Sequence, residues 1–291
     1  MIRETFYKDR PAIEVSCDQC SALFLPWDGG KMASFRDSTG EEFLLQTEGE
    51  AYRPMDLAAE FEKCECSGFD DMFPTIDPCV VHGLEYLDHG EICRREHNVV
   101  IEGDKVTFSC TLPILNILFQ KTVWCEEGAL FAKYRIENRN GFDFSYIWAA
   151  HMMFKGDKGA YAVSNFPAGA PITILDGTPD ENAPHVLPEG GHHYKYYYSE
   201  GRSPLRCGVA YPASKAEVWA EFDSEIVKYL GFWINPGDLN DMYTIAVEPC
   251  TGLHDTPVAA EEAKASSSIP AHGAVEFTMK LFCRKETANE F

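Results

Sequence analysis

Phe119-Gln120-Lys121-Thr122-Val123-Trp124-Cys125-Glu126-Glu127-Gly128-Ala129-Leu130-Phe131-Ala132-Lys133-Tyr134-Arg135-Ile136-Glu137 reads as two strands and a turn. Residues 119–125 and 129–137 run with the two-residue period of extended chain, and Glu126-Glu127-Gly128 joins them as a hairpin. The same signature recurs outward in both directions. Val106, Phe108, Cys110 and Leu112 alternate with polar or small residues. Residues 31–36 and 41–46 flank the turn Asp37-Ser38-Thr39-Gly40, and 144–154 forms a long aromatic strand candidate. Further strands are expected over 171–175, 207–211, 216–222, 229–234, 243–247 and 274–282. Many strands separated by turns predict an all-β sandwich or barrel.

Two short segments carry helical patterns. In 54–63, Leu57 and Phe61 lie four apart; 257–266 is rich in Ala and Glu behind a Pro suited to a first helical turn. Both are expected at the periphery. Residues 156–203, rich in Gly, Pro and aromatics, read as long loops plus one strand. No linker or internal repeat interrupts the 291 residues, so one domain over 1–291 is expected. Apolar residues make up 45% of the chain, with 19 Phe, 13 Tyr and 5 Trp, enough for a substantial core.

The charge balance is 25 basic against 46 acidic side chains, 25 − 46 = −21. Affinity for a phosphate backbone rests on Lys and Arg, so a nucleic-acid partner is disfavoured, and an anionic membrane surface likewise. No run approaches the ~20 apolar residues that span a bilayer. The first ten residues have no apolar targeting core, and eleven cysteines is an odd number. The expectation is a soluble, cytoplasmic protein with reduced thiols. Cys17/Cys20 followed by Cys64/Cys66 matches no structural zinc spacing, and the cysteines read as small apolar fillers.

Four segments carry chemistry: Gly68-Phe69-Asp70-Asp71-Met72-Phe73-Pro74-Thr75-Ile76, Asp88-His89-Gly90-Glu91, Trp148-Ala149-Ala150-His151 and Glu248-Pro249-Cys250-Thr251-Gly252. They supply two imidazoles and a carboxylate, the groups that proton transfer on a neutral polyol needs near neutral pH. Pro26-Trp27-Asp28-Gly29-Gly30-Lys31-Met32-Ala33-Ser34-Phe35-Arg36-Asp37 precedes them and Ile269-Pro270-Ala271-His272-Gly273 follows. In this order the segments resemble the aldose 1-epimerase (galactose mutarotase-like) superfamily, in particular its bacterial aldose epimerase-like branch. The likeness spans most of the chain. It implies a galactose mutarotase-like supersandwich and an isomerase that interconverts the anomers of a sugar, with no organic cofactor.

On the residues alone, Glu248 ends a strand that Pro249 stops, and it faces either a cleft or solvent. His151, inside an apolar strand, is either a hydrogen-bonded core histidine or functional. His89 sits in a turn. The resemblance implies Glu248 as general base, His151 as the acid that protonates the ring oxygen, and His89 as an assisting group. Relatives often place Pro after the matching histidine, where this chain has Met152. Adjacent strand residues face opposite sides, so one of Asp70 and Asp71 enters the site, and Asp71 is favoured as a hydroxyl ligand. Arg94, next to Arg95, is the candidate arginine near the sugar. Trp148 and Trp233, with Phe73 and Tyr229, are candidates for an apolar platform. His82 and His97 are expected at the surface. His192-His193 and the tyrosines after them either overhang a cleft or form an edge ribbon. No metal ligands are assigned. Two other readings stay open: a carbohydrate-binding protein without turnover, and a facial metal triad of His89, His151 and Glu248.

Overall fold

The computed structural model describes residues 1–57, 60–181 and 183–285. Two large sheets with antiparallel ladders face each other. The first has ten strands, in the order Ile2–Tyr7, Arg10–Ser16, Cys20–Leu25, Lys31–Asp37, Phe69–Met72, Ala149–Lys155, Tyr243–Cys250, Tyr229–Pro236, Tyr194–Tyr198 and Ile172–Asp176. The second has eight: Tyr161–Ser164, Leu205–Tyr211, Ala216–Phe222, Ala274–Lys285, Ala129–Asn138, Ile117–Glu126, Lys105–Leu112 and Asn98–Glu102. Both inner faces feed one apolar cluster running from Ile13 to Leu281. Phe24 of the first sheet meets Phe108 of the second at 5.3 Å between ring centres. Of the two all-β architectures that the strand periodicity leaves open, sandwich and barrel, this is the sandwich that the resemblance implies.

The hairpin at residue 119 is longer at both ends than expected, pairing Ile117 with Asn138 and Glu126 with Ala129. Its two-residue turn, Glu127-Gly128, has φ of 49° and 77°, the mirror-image turn that matches strand twist. Lys105–Leu112 buries Val106, Phe108, Cys110 and Leu112 on one face, as the alternation requires. Thr256 caps the helix Pro257–Glu262 by accepting from the Ala259 amide at 3.1 Å.

Other expectations are corrected. Residues 144–154 do not form one strand: Phe144–Tyr146 pairs with Ser267–Ile269 in a small separate ladder, and Ala149–Lys155 joins the large sheet. The break falls where Trp148 donates its amide to Thr251 Oγ1 (3.0 Å) and its indole turns into the core. Residues 41–46 form isolated bridges rather than a strand. In 54–63 the structure shows a 3-10 turn, Phe61–Lys63; residues 58 and 59 lie outside the described residues. Among its described residues, the segment 156–203 holds three strands instead of one. His97 is buried: a Cβ on Gly30 would lie 2.9 Å from its Nδ1. Burial and the neighbouring Lys121 push its ring down to about 3, so it is a neutral packing residue.

Candidate active site

Side chains alternate across a strand, and that rule builds the site. In Ala149–Lys155, Ala150, Met152 and Phe154 enter the core between the sheets, so His151 and Met153 face the other way. In Tyr243–Cys250, Ile245 and Val247 face the core and Glu248 faces away. In Tyr194–Tyr198 three tyrosines face inward and Lys195 outward. In Tyr229–Pro236, Phe232 and Ile234 point in and Trp233 out. These outward residues line a cavity of about 910 Å³ on the outer face of the ten-stranded sheet. Loops after the strands close its sides with Phe61, Asp77, His89, Leu239, Met242 and Asp255.

His151 and Glu248 stand side by side on neighbouring strands. The ladder pairs Ala149 with Cys250 and Met152 with Val247, and both residues lie between these pairs. His151 Nε2 is 4.0 Å from Glu248 Oε1, too far for a hydrogen bond. Contrary to expectation, Pro249 does not stop the strand, which runs on to Cys250 with Pro249 opposite Leu230. The strand therefore holds Glu248 in mid-sheet, almost fully buried. Gly231 is opposite Glu248, and a Cβ there would come within 2.7 Å of the Tyr197 ring. Only glycine lets that tyrosine pack across the strand.

His89 arrives on a loop. Its ring stacks on Phe61 with centroids 3.6 Å apart and meets the His151 ring edge-on at 5.3 Å. Asp88 Oδ1 fixes His89 Nδ1 at 2.8 Å. The next residue, Gly90, has φ of 73°, and a Cβ there would lie 2.1 Å from the Phe73 carbonyl oxygen. Glycine thus lets the loop dock directly against the Phe73 backbone, where Glu91 donates its amide to Phe73 O at 2.9 Å.

Lys195 ties the carboxylates together. Its Nζ is 3.0 Å from Glu248 Oε2 and 2.9 Å from Asp255 Oδ1, and Tyr197 donates to that same Asp255 oxygen at 2.7 Å. Burial disfavours the Lys195 ammonium, but Glu248 and Asp255 outweigh it and hold the charge on. Burial raises Glu248 above the ordinary carboxylate range, with Lys195 opposing. Burial, then the positive fields of His89, Lys195 and Lys31, push His151 well below the usual imidazole value. The cavity therefore holds a weakly acidic carboxyl group beside a neutral imidazole.

Three candidate ligands lie elsewhere. Asp71 points to the core side, where Lys121 Nζ meets its Oδ2 at 2.7 Å. Asp70 is the member of the pair on the cavity side: it registers opposite His151 and binds Lys31 Nζ at 3.0 Å. Burial lifts Asp70 to about 6, with Lys31 opposing. Arg94 is buried and donates to the carbonyls of Gly90, Asp56 and Asp88, so it fastens the His89 loop instead of facing the cavity. Trp148 is fully buried among Tyr134, Phe222 and Phe277. Of the two tryptophans, only Trp233 lines the cavity. Lys195, Asp255, Asp77 and Phe61 also line the cavity, although the sequence assigns none of them a site role and marks Phe61 only as an apolar residue of a helical pattern. His193 does overhang the cavity, held by Asp238 at 3.0 Å.

No family model matches the chain, and no curated protein matches it. Solved structures do. The Slr1438 protein of Synechocystis aligns over 98% of this chain and 100% of its own, with TM-score 0.71 and 14% identity. A galactose mutarotase-like protein of Clostridium acetobutylicum aligns over 98% and 99%, with TM-score 0.70 and 15% identity. A Klebsiella pneumoniae protein given the provisional name aldose 1-epimerase aligns over 99% and 84%, with TM-score 0.74 and 12% identity. These likenesses establish the fold, which is that of the galactose mutarotase-like proteins.

Proposed function

We propose that this protein is an aldose 1-epimerase that works in the cytoplasm on a sugar without a phosphate group. The observation that carries the reading is the placement of Glu248 and His151. Mutarotation takes a proton from the anomeric hydroxyl and delivers one to the ring oxygen, and these two oxygens share a single carbon. The base and the acid must therefore stand close together without quenching each other, as Oε1 and Nε2 do at 4.0 Å. The Glu248 carboxylate takes the hydroxyl proton while the His151 imidazolium protonates the ring oxygen. The C1–O bond to the ring breaks, the aldehyde rotates about C1–C2, and the reverse transfers close the other anomer. His89, oriented by Asp88 and Phe61, hydrogen-bonds the sugar. Trp233 gives its C–H face an apolar surface. The Lys195 ammonium against Glu248 favours proton transfer over a metal triad, since a cation already neutralises that carboxylate.

The cavity lining carries Asp77, Asp176, Glu248, Asp255 and Glu262, while Lys195 is already paired. A phosphate dianion would meet net repulsion there. Saturation-transfer proton NMR on a panel of neutral aldoses and their phosphates is expected to show accelerated anomer exchange for a neutral sugar. Faster exchange for a phosphate than for every neutral sugar would overturn the substrate class. Binding of a sugar without acceleration would replace the enzyme reading by one of carbohydrate recognition.

The reactive form needs Glu248 ionised and His151 protonated. Burial raises the first group above 4.5 and lowers the second below 6.5, so the two limbs of the rate profile approach each other. The expected kcat/KM profile is a narrow bell, with its acid limb above that of an ordinary carboxylate and its alkaline limb well below that of an ordinary imidazole. A flat profile from about pH 5 to 9, with chemistry limiting, would remove the pair from the mechanism.

A further inference from the structure

Far from the cavity, three cysteines that are remote in sequence meet at one edge of the sandwich. Cys17 and Cys20 flank the short connection between the strands Arg10–Ser16 and Cys20–Leu25 of the ten-stranded sheet. Cys125 lies near the end of Ile117–Glu126 in the opposite sheet. The Cys17 and Cys20 sulfurs are 3.6 Å apart, and all three sulfurs lie within 4.8 Å of one another. Among the described residues this is the group of His, Cys, Asp and Glu side chains whose donor atoms gather so closely.

Backbone contacts hold the cluster from both sheets. The Cys17 amide donates to Cys20 O at 2.9 Å, closing the turn that sets the CxxC spacing. The Cys20 thiol points to Gly128 O at 3.9 Å, at the tip of the opposing hairpin. The side chain of Gln19 packs over the same glycine, where a Cβ would lie 2.8 Å from Gln19 Cγ. The thiols therefore converge because two secondary elements are locked together, not because loose side chains happen to meet.

All three border the apolar core, Cys20 within it and Cys17 and Cys125 packed against it, but they differ from the other core cysteines in meeting one another. Cys110, Cys207 and Cys250 are buried one by one among apolar side chains, the ordinary use of cysteine as a filler. Cys17 and Cys125 are only half-buried, so a solute can reach them. Thiolates bound to zinc sit ~2.3 Å from the metal, which places tetrahedral sulfur pairs roughly 3.8 Å apart. The 3.6 Å separation of Cys17 and Cys20 is close to that value. A disulfide needs ~2.05 Å and involves only two sulfurs, leaving the third without a role.

We propose that Cys17, Cys20 and Cys125 form a three-thiolate site for a soft divalent cation of the zinc type. On binding, each thiol gives its proton to solvent as its sulfur takes up the metal, and a water fills the fourth position. The ion would clamp the two sheets together at this edge, remote from the proposed chemistry.

The test uses the full chain, reduced and stripped with a chelator, with Co2+ and Zn2+ as probes. One equivalent of Co2+ is expected to give a near-ultraviolet thiolate-to-metal band that Zn2+ abolishes. Cys17→Ser and Cys125→Ser should each weaken binding at least about tenfold, since they remove one of three thiolates. The double variant Cys64→Ser/Cys66→Ser should retain the band in full. A band that survives loss of both Cys17 and Cys125, or no binding near one equivalent, would overturn the site. A second readout needs no substitution: in the wild-type protein Zn2+ should protect Cys17 and Cys125 from alkylation, while half-buried Cys79 still reacts. Equal alkylation with and without the metal would equally overturn it.

Discussion

Glu248→Gln is expected to slow anomer exchange about a thousandfold while the protein stays folded, the scale of a lost general base. The amide keeps the shape of the carboxyl group and can still face Lys195, which retains Asp255 at 2.9 Å. It cannot accept a proton from the anomeric hydroxyl. The effect should fall on kcat, since the hydroxyl can still hydrogen-bond the amide and KM need change little. Saturation-transfer NMR reads the rate, and a thermal melt reads the fold. Wild-type exchange in a folded variant would remove Glu248 from the mechanism. Loss of exchange together with loss of folding would show that the buried pair with Lys195 is chiefly structural.

The fold was legible because period-two alternation is a local signal. It carried the hairpin at residue 119 and the strand Ala216–Phe222, whose bounds match expectation. It failed where other forces set the backbone. Trp148 turns its indole into the core and breaks the aromatic run, and residues 41–46 lack a continuous partner strand. The first three strands went unread, although Arg10–Ser16 buries Ala12, Ile13 and Val15. Parity also places site residues to which the sequence patterns assign no role. Tyr194, Tyr196 and Tyr198 face the core, which by itself sends Lys195 to the opposite side. Likewise Phe69 points inward, so Asp71 shares its face and Asp70 takes the other. Trp148 belonged to the core by the same logic. Asp255 is a different case. It reaches Lys195 from a loop 60 residues away, and no periodicity announces such a contact. Cys125 beside Cys17 is the same kind of long-range meeting.

Lys195→Met tests whether the ammonium tunes the reacting pair or merely holds the sheet together. Its charge lowers Glu248 and His151 alike. Removing it lets both rise, and Asp255, no longer neutralised, pushes Glu248 up further. The acid limb of kcat/KM marks ionisation of Glu248 and the alkaline limb marks loss of the His151 proton, so both limbs move to higher pH. The whole bell is expected to shift in the alkaline direction. At the wild-type optimum, Glu248 would then be largely protonated, and the rate there should drop at least about tenfold. Stability should fall by about 3 kcal/mol, because two nearly buried carboxyl groups lose their common cation. Met keeps most of the lysine's length, so the packing against the Tyr197 ring survives. The profile separates the two roles. A purely structural lysine would lower the rate at every pH and leave the optimum where it was. An optimum that stays in place after the substitution would therefore overturn the tuning role, however much stability is lost. A shift toward acid pH would contradict the sign of the charge itself, and with it the assignment of Glu248 as base and His151 as acid.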